Sequence, residues 1–238
     1  AYSETFIRDQ IAGFKNWADV YTIHSGRLPE KKEDGTLLTS KFLWAMHKVV
    51  KVFLGRNNFF GNYAVKKYLK DNKIEVVLAN YGMPGAHMAP VCKALNIPLV
   101  VIFHGHDATD KKLLKEYKTK YKSMFEYATF TIAVSEVMKN KLIAVGAIPE
   151  KLKLIPYGVD VSKFKPISEN NNTNTFLAVG RFTEKKGPLF TIRAFNKALQ
   201  QFPEAKLVMV GGKTGLYEEC QKLVDELNIS NSVHFTGV

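Results

Sequence analysis

Short apolar runs alternate with helix-like segments along almost the whole chain, and this alternation limits the fold more than any other feature. The runs are rich in Val, Ile, Leu and Phe, as is typical of strands buried on both faces. Such strands lie parallel and are joined by crossover helices, so the sequence predicts an α/β fold. The predicted strands are residues 18–23, 75–79, 98–103, 129–134, 152–156, 175–180, 205–212 and 233–238. The clearest predicted helices are residues 4–14, 188–200 and 216–227.

A polar stretch, ISENNNTNT at residues 167–175, separates two series of strands and helices. It is rich in asparagine and has no periodicity, which favours a linker. We therefore predict a first domain at residues 1–168, a linker at 169–174 and a second domain at 175–238. The second domain has too few predicted strands to bury both faces of its sheet, and the first domain opens on a helix rather than a strand. Both domains are thus expected to be incomplete. The alternative is that the second domain is naturally small.

Charge and cysteine content narrow the classes of partner and the compartment. The net charge of +12 suits a phosphorylated small molecule, an anionic membrane or nucleic acid. No RRM or zinc-finger signature is present, so nucleic acid ranks last. The two cysteines, Cys92 and Cys220, match no disulfide framework or metal spacing. With no apolar run long enough to span a membrane and no signal peptide, we expect a soluble cytoplasmic protein.

The loop GRFTEKKG at residues 180–187 follows a predicted strand and opens a predicted helix. Free backbone N–H groups and the helix dipole favour an anion at such a position. Gly180 permits a close backbone approach, while Arg181 and Lys186 supply a planar fork and a point charge for phosphate oxygens. The alternative is a solvated basic turn, because single glycine-rich motifs often occur without a ligand.

A second polar motif, FHGHD at residues 103–107, lies at the carboxyl end of the predicted strand 98–103. Open α/β sheets place ligand-contacting residues at this edge, so His104, His106 and Asp107 are candidates. Two histidines and an aspartate also suggest a metal site. We do not favour one, because His104 and His106 lie in one turn without a clear third ligand.

Four motifs together resemble the retaining GT-B glycosyltransferases of glycosyltransferase family 4. They are SETFIRDQ at residues 3–10, FHGHD, IPYGVDVSKFKP at residues 155–166 and VGRFTEKKG, and the similarity is strongest to the bacterial colanic acid and amylovoran group. The resemblance implies two Rossmann-like domains with parallel sheets. It also implies transfer of a sugar from a nucleotide diphosphate sugar to a saccharide or lipid-linked acceptor in polysaccharide biosynthesis.

The resemblance also implies roles for individual residues. Arg181 and Lys186 would bind the donor diphosphate and stabilise charge on the departing phosphate, so neither a metal nor another cofactor is expected. His104 would face the transferred sugar, and Asp107 would shape the adjoining loop. Ser3 would contact acceptor or donor, although a simple helix N-cap explains it equally well. The loop at residues 80–85 would lie near the acceptor.

The family's pair of donor-binding glutamates, spaced by seven residues, is absent from this sequence. Glu218 and Glu226 have a similar spacing, but they lie on the predicted helix 216–227 and resemble surface charges. We therefore expect this piece of chain to be inactive by itself. A nucleotide-sugar 2-epimerase of the same fold and a catalytically silent binding fragment are the alternatives.

Two basic, partly apolar segments, residues 40–60 and 111–128, could meet a membrane surface. The resemblance supports this, since such transferases often use lipid-linked acceptors. Helices that bury their apolar stripe in their own domain are nevertheless favoured. We therefore expect a cytoplasmic location first, and attachment to the inner face of the membrane second.

Overall fold

The computed structural model describes residues 5–40, 59–165 and 174–237. The chain divides into two compact units, Ala1–Asp160 and Val161–Val238. The linker predicted at residues 169–174 lies almost entirely outside the described ranges.

A four-stranded parallel sheet, ordered β3-β4-β5-β6, forms the centre of the first unit. Its register pairs Ala79 with Val101 and Val101 with Thr131. The sheet strands are β3 Val77–Asn80, β4 Leu99–Ile102, β5 Phe130–Ala133 and β6 Leu152–Leu154. The helices of the first unit are α1 Thr5–Phe14, α2 Phe59–Asp71, α3 Gly82–Leu95, α4 His106–Thr109, α5 Lys111–Tyr127 and α6 Glu136–Ala144. A 3-10 turn, Pro149–Lys151, precedes β6.

Helix α5 shows how sequence periodicity builds the core of this unit. Tyr117, Tyr121 and Phe125 repeat every four residues and are buried, so they lie on one face of the helix. Helix α3 packs beside α5 and adds buried Val91 and Cys92 to the same core. Burial raises the pKa of the Cys92 thiol to about 12.

The second unit contains a three-stranded parallel sheet ordered β7-β8-β9. Its elements are β7 Thr175–Val179, α7 Pro188–Leu199, β8 Lys206–Val210, α8 Tyr217–Glu226 and β9 Val233–Gly237, with a 3-10 turn at Glu184–Lys186. The core of this unit includes Ile192 and Cys220, which are fully buried. The parallel strands joined by helices that the alternation predicted therefore occur in both units.

The strand predicted at residues 18–23 is wrong. Only Ile23–His24 forms a strand, β1, and it pairs antiparallel with strand β2, Lys31–Lys32. Ser25 and Gly26 follow with φ angles of 69° and 79°, and this left-handed pair turns the chain back on itself. The segment therefore forms a local hairpin rather than a strand of the parallel sheet. The other predicted strands and the three predicted helices agree with the structure to within two residues at each end.

Candidate functional site

Three strand ends in the first unit converge on the imidazole of His104. His104 itself follows β4, and its Nε2 lies 2.9 Å from Oδ1 of Asn80, the last residue of β3. Its Nδ1 is hydrogen-bonded to the hydroxyl of Tyr157, which follows β6. Because parallel strands end at one edge of the sheet, residues far apart in sequence meet here. The structure thus places His104 where the sequence predicted a ligand-contacting residue.

Aromatic rings enclose the same imidazole. The ring of Tyr157 lies parallel to that of His104 at 5.8 Å, and the ring of Tyr81 lies 4.5 Å away. Phe6 of α1 contacts both His104 and Tyr157, with centroids 4.9 and 5.0 Å apart. Gln10 of the same helix accepts a hydrogen bond from the Asn80 side-chain amide at 3.3 Å. The SETFIRDQ motif therefore supplies side chains to this site.

Tyr81 joins β3 to α3 in a conformation that is unusual for its type. Its φ of 76° lies in the left-handed region, which a bulky side chain rarely adopts. Its backbone N–H donates to the carbonyl of Ile102 at 2.8 Å, so the sheet holds this conformation in place. Strained residues of this kind cluster at functional sites, where the surrounding structure compensates for the strain.

The buried carboxylate of Asp107 joins the two loops that carry Tyr81 and His104. One oxygen accepts from the N–H of Gly82 at 2.9 Å, and the other accepts from the N–H groups of His104 and Gly105 at 3.0 Å. Gly105 has a φ of 116°, which glycine tolerates best. Burial raises the pKa of the Asp107 carboxyl, while the hydrogen bonds from Gly82 and His104 oppose that rise. Asp107 shapes its loop through these contacts.

His106 does not belong to the cluster around His104. The His106 side chain is 64% exposed, and its Nδ1 lies 3.9 Å from the carboxylate of Asp110. Both oxygens of Asp107 are engaged by backbone N–H groups. Across residues 5–40, 59–165 and 174–237, no three His, Cys, Asp or Glu side chains are grouped as a metal site would require.

The GRFTEKKG loop leaves the carboxyl end of β7 in the second unit and is anchored by Phe182. The Phe182 ring is buried against Tyr217 and Phe235, with centroids 5.1 and 5.9 Å away. Its carbonyl accepts from the N–H of Leu216 at 2.8 Å. The loop that carries Arg181 therefore has a fixed base.

Arg181 and Lys186 are both exposed at this loop. Within the described part of the chain, neither side chain forms an ion pair. Lys186 ends the 3-10 turn and stands just before α7. Two cations beside a helix N-terminus form a suitable site for a phosphate or diphosphate.

Gly211, which follows β8, lies in close contact with the backbone of Gly180. A Cβ on Gly180 would make only an ordinary contact of 3.8 Å with Cγ of Lys186. A Cβ on Gly211 would overlap the carbonyl oxygen of Gly180. Gly211 thus lets the ends of β7 and β8 come together, and the glycine pair after β8 was the sequence signal.

The remaining sequence predictions concern Ser3, the basic segment 40–60 and the glutamates of α8. Ser3 lies outside the described residues, as do residues 41–58 of the basic segment 40–60. Glu218 and Glu226 are exposed on α8, so their interpretation as surface charges is confirmed. Sequence reasoning missed Phe6 and Tyr157 as members of the His104 cluster, because nothing local to either residue points to that imidazole.

Two parallel α/β units, each with polar groups at the carboxyl edge of its sheet, define the GT-B class of fold. Among solved structures, Anabaena Alr3699/HepE in complex with UDP-glucose matches with a TM-score of 0.63 at 19% sequence identity, covering 74% of this chain and 51% of that one. The family model "Glycosyltransferase Family 4" matches residues 11–163, and "Glycosyl transferases group 1" matches residues 160–238. The chain belongs to glycosyltransferase family 4.

Two of the curated relatives carry names from bacterial polysaccharide biosynthesis. The amylovoran biosynthesis glycosyltransferase AmsK of Erwinia amylovora is 29% identical over 165 residues, which are 63% of this chain and 40% of AmsK. WcaL of Salmonella typhimurium, a glycosyltransferase assigned to colanic acid biosynthesis, is 27% identical over 168 residues, 68% of this chain and 41% of WcaL. The chain thus spans less than half the length of these relatives.

Proposed function

We propose that the natural polypeptide carrying this chain is a retaining glycosyltransferase of bacterial polysaccharide biosynthesis. It transfers a sugar from a nucleotide diphosphate sugar to a saccharide or lipid-linked acceptor. The observation that carries the proposal is the pair of exposed cations, Arg181 and Lys186, on an anchored loop at the carboxyl end of β7. The same pair stands in the motif by which the sequence resembles family 4.

On the donor side, the cation pair supports binding of the diphosphate without a metal ion. Arg181 offers a planar fork for two oxygens, and Lys186 offers a point charge. Charge that develops on the leaving phosphate is stabilised by positioned cations in the way that a divalent ion would stabilise it. Gly180 contributes by carrying the chain from β7 into the loop, with its N–H donating to Val210 at 2.9 Å.

On the sugar side, the His104 cluster supports recognition of a polyhydroxylated ring. Aromatic surfaces and side-chain amides lie beside one imidazole, a combination suited to the apolar faces and hydroxyls of a sugar. We assign His104 to the transferred sugar and Asp107 to holding its loop. Ser3 is proposed to contact the acceptor or the donor.

Retention and the acceptor class rest on the family and on the relatives' names. Amylovoran and colanic acid biosynthesis are the processes named for AmsK and WcaL, which supports a saccharide or lipid-linked acceptor. A nucleotide-sugar 2-epimerase is the alternative reaction. Both matched family models describe glycosyltransferases, which favours transfer.

The donor is tested by incubating the natural polypeptide that carries this chain with UDP, GDP and ADP sugars. We expect one nucleotide class to be hydrolysed slowly without acceptor, and the released sugar to keep its anomeric configuration when followed by NMR. Recovery of an epimerised nucleotide sugar would support the alternative reaction. Failure of every nucleotide sugar to react or bind would contradict the proposal.

We further propose that helix α5 contributes to peripheral attachment at the cytoplasmic face of a membrane. Its apolar side is buried in the core, which confirms the core-helix interpretation for this segment. Its exposed side carries Lys111, Lys115, Lys118 and Lys122 at a spacing that forms one stripe. Glu116, on the same helix, forms an ion pair with Arg27 at 2.7 Å. Its negative charge therefore cancels less of the positive charge of the lysine stripe. No helix in the described ranges combines the length and apolarity that a membrane span requires.

Reversing two charges of this stripe, Lys115→Glu with Lys118→Glu, should weaken binding to vesicles that contain anionic lipid. Each basic residue near such a surface contributes about 1 kcal/mol, so the affinity should fall by at least about tenfold in a sedimentation assay. The matched control is Lys197→Glu with Lys222→Glu. It makes the same charge change at exposed positions on the helices of the second unit. Equal losses in both double variants would show a general charge effect instead of a binding face.

A further inference from the structure

The orientation of the Asn80 side-chain amide favours one position for the proton on the His104 ring. The Asn80 amide nitrogen donates to Gln10 Oε1 at 3.3 Å, so its carbonyl oxygen Oδ1 faces His104. That oxygen only accepts, and the 2.9 Å contact therefore requires a proton on His104 Nε2. In the neutral imidazole, Nδ1 is then left with a lone pair and accepts a hydrogen bond.

Tyr157 supplies the hydrogen for that lone pair. Its hydroxyl meets Nδ1, and its ring lies parallel to the imidazole, tilted by only 3°. Desolvation, with a smaller contribution from the charge of Asp107, raises the pKa of Tyr157 to about 12. The phenol is therefore protonated at neutral pH and able to donate.

The position of Tyr157 in the fold allows its side chain to move away from His104. It belongs to the irregular segment that follows β6, outside any helix or strand, and 47% of its surface is exposed. A half-exposed side chain on such a segment changes rotamer at little cost compared with a core residue. Asn80, at the end of a paired strand, is held more firmly.

We propose that the Tyr157 hydroxyl occupies His104 Nδ1 in the ligand-free protein and is displaced by a hydroxyl of the bound sugar. This rests on the proposed function, in which His104 faces the transferred sugar. Because His104 Nδ1 accepts, the ligand group that replaces the Tyr157 hydroxyl must be a hydrogen-bond donor. A sugar hydroxyl donates as the phenol does, whereas the ionised oxygens of a nucleotide sugar's diphosphate only accept and cannot replace it.

The first test needs no ligand and uses nitrogen-15 NMR of the histidine rings in the natural polypeptide. Tyr157→Phe keeps the ring and removes the hydroxyl, so we expect the Nδ1 resonance of His104 to shift while Nε2 stays protonated. Asn80→Ala should perturb Nε2 first. Tyr127→Phe is the control, because that hydroxyl donates to the Ile97 carbonyl at 2.7 Å and should leave both resonances unchanged. An unchanged Nδ1 in Tyr157→Phe would overturn the proposal.

The second test measures dissociation constants by calorimetry, for the nucleotide sugar that the wild-type protein uses and for the corresponding nucleoside diphosphate. A neutral hydrogen bond contributes about 1 kcal/mol, so Tyr157→Phe should bind the nucleotide sugar about fivefold more tightly. Its affinity for the nucleoside diphosphate should be unchanged. Weaker binding of the nucleotide sugar, or an equal change for both ligands, would show that Tyr157 does not compete with the sugar. If the wild type binds no nucleotide sugar, the proposed function fails, and the NMR result still decides the Tyr157 contact.

Discussion

Replacing Arg181 by alanine should lower kcat/KM for the nucleotide sugar by about 10²–10³-fold, the usual loss when one positioned donor leaves a charged transition state. Lys186→Ala should cause a loss of the same order. Charge on the leaving phosphate grows as the bond breaks, so kcat should fall as well as KM rise. Initial rates of the natural polypeptide that carries this chain, measured across donor concentrations, give both values.

The controls separate phosphate binding from general charge and from folding. Lys213→Ala removes an exposed cation from the neighbouring loop after β8, where the ammonium lies 6.0 Å from the Tyr217 ring centre, and should leave donor turnover nearly unchanged. Arg181→Lys keeps the charge and loses the fork, so an intermediate loss is expected. Because both target side chains are exposed, circular dichroism should show a retained fold. Unchanged donor turnover in both alanine variants would mean that other groups hold the diphosphate.

Replacing Asp107 by alanine should open the two loops at the His104 cluster. The change leaves the N–H groups of Gly82, His104 and Gly105 without their acceptor. Unsatisfied buried donors cost about 1–3 kcal/mol each, and the relief of a desolvated carboxylate offsets part of this cost. We expect a net local loss of roughly 3 kcal/mol, seen as about 10²-fold faster hydrogen exchange at these amides.

Asp110→Ala is the matched control for this prediction. Asp110 caps helix α5 by accepting from the N–H of Leu113 at 2.8 Å, and loss of such a cap costs about 1 kcal/mol. Its effect should stay within the first turn of α5. Faster exchange at Gly82 in Asp107→Ala, but not in Asp110→Ala, would identify Asp107 as the link between the β3 and β4 loops. Slow exchange at Gly82 in both variants would contradict this role.

Most of the secondary structure could be predicted because it depends on local patterns. The apolar run at residues 98–103 became β4, Leu99–Ile102, and the basic loop after residue 179 indeed stands between β7 and a helix. The prediction at residues 18–23 was wrong because the apolar residues there resemble a strand. The dipeptide Ser25-Gly26 that follows His24 was the turn signal in the sequence. Propensity thus gave way to turn geometry at that position.

By itself, the sequence determined the two α/β units, the basic loop with Arg181 and Lys186, and the placement of His104 at the end of a strand. Only the tertiary structure decided what surrounds His104. Its partner Tyr157 lies 53 residues along the chain, Gln10 lies 70 residues from Asn80, and Asp107 lies 25 residues from Gly82. Periodicity and residue preference act over a few positions, whereas these contacts exist because parallel strands end at one edge of the sheet.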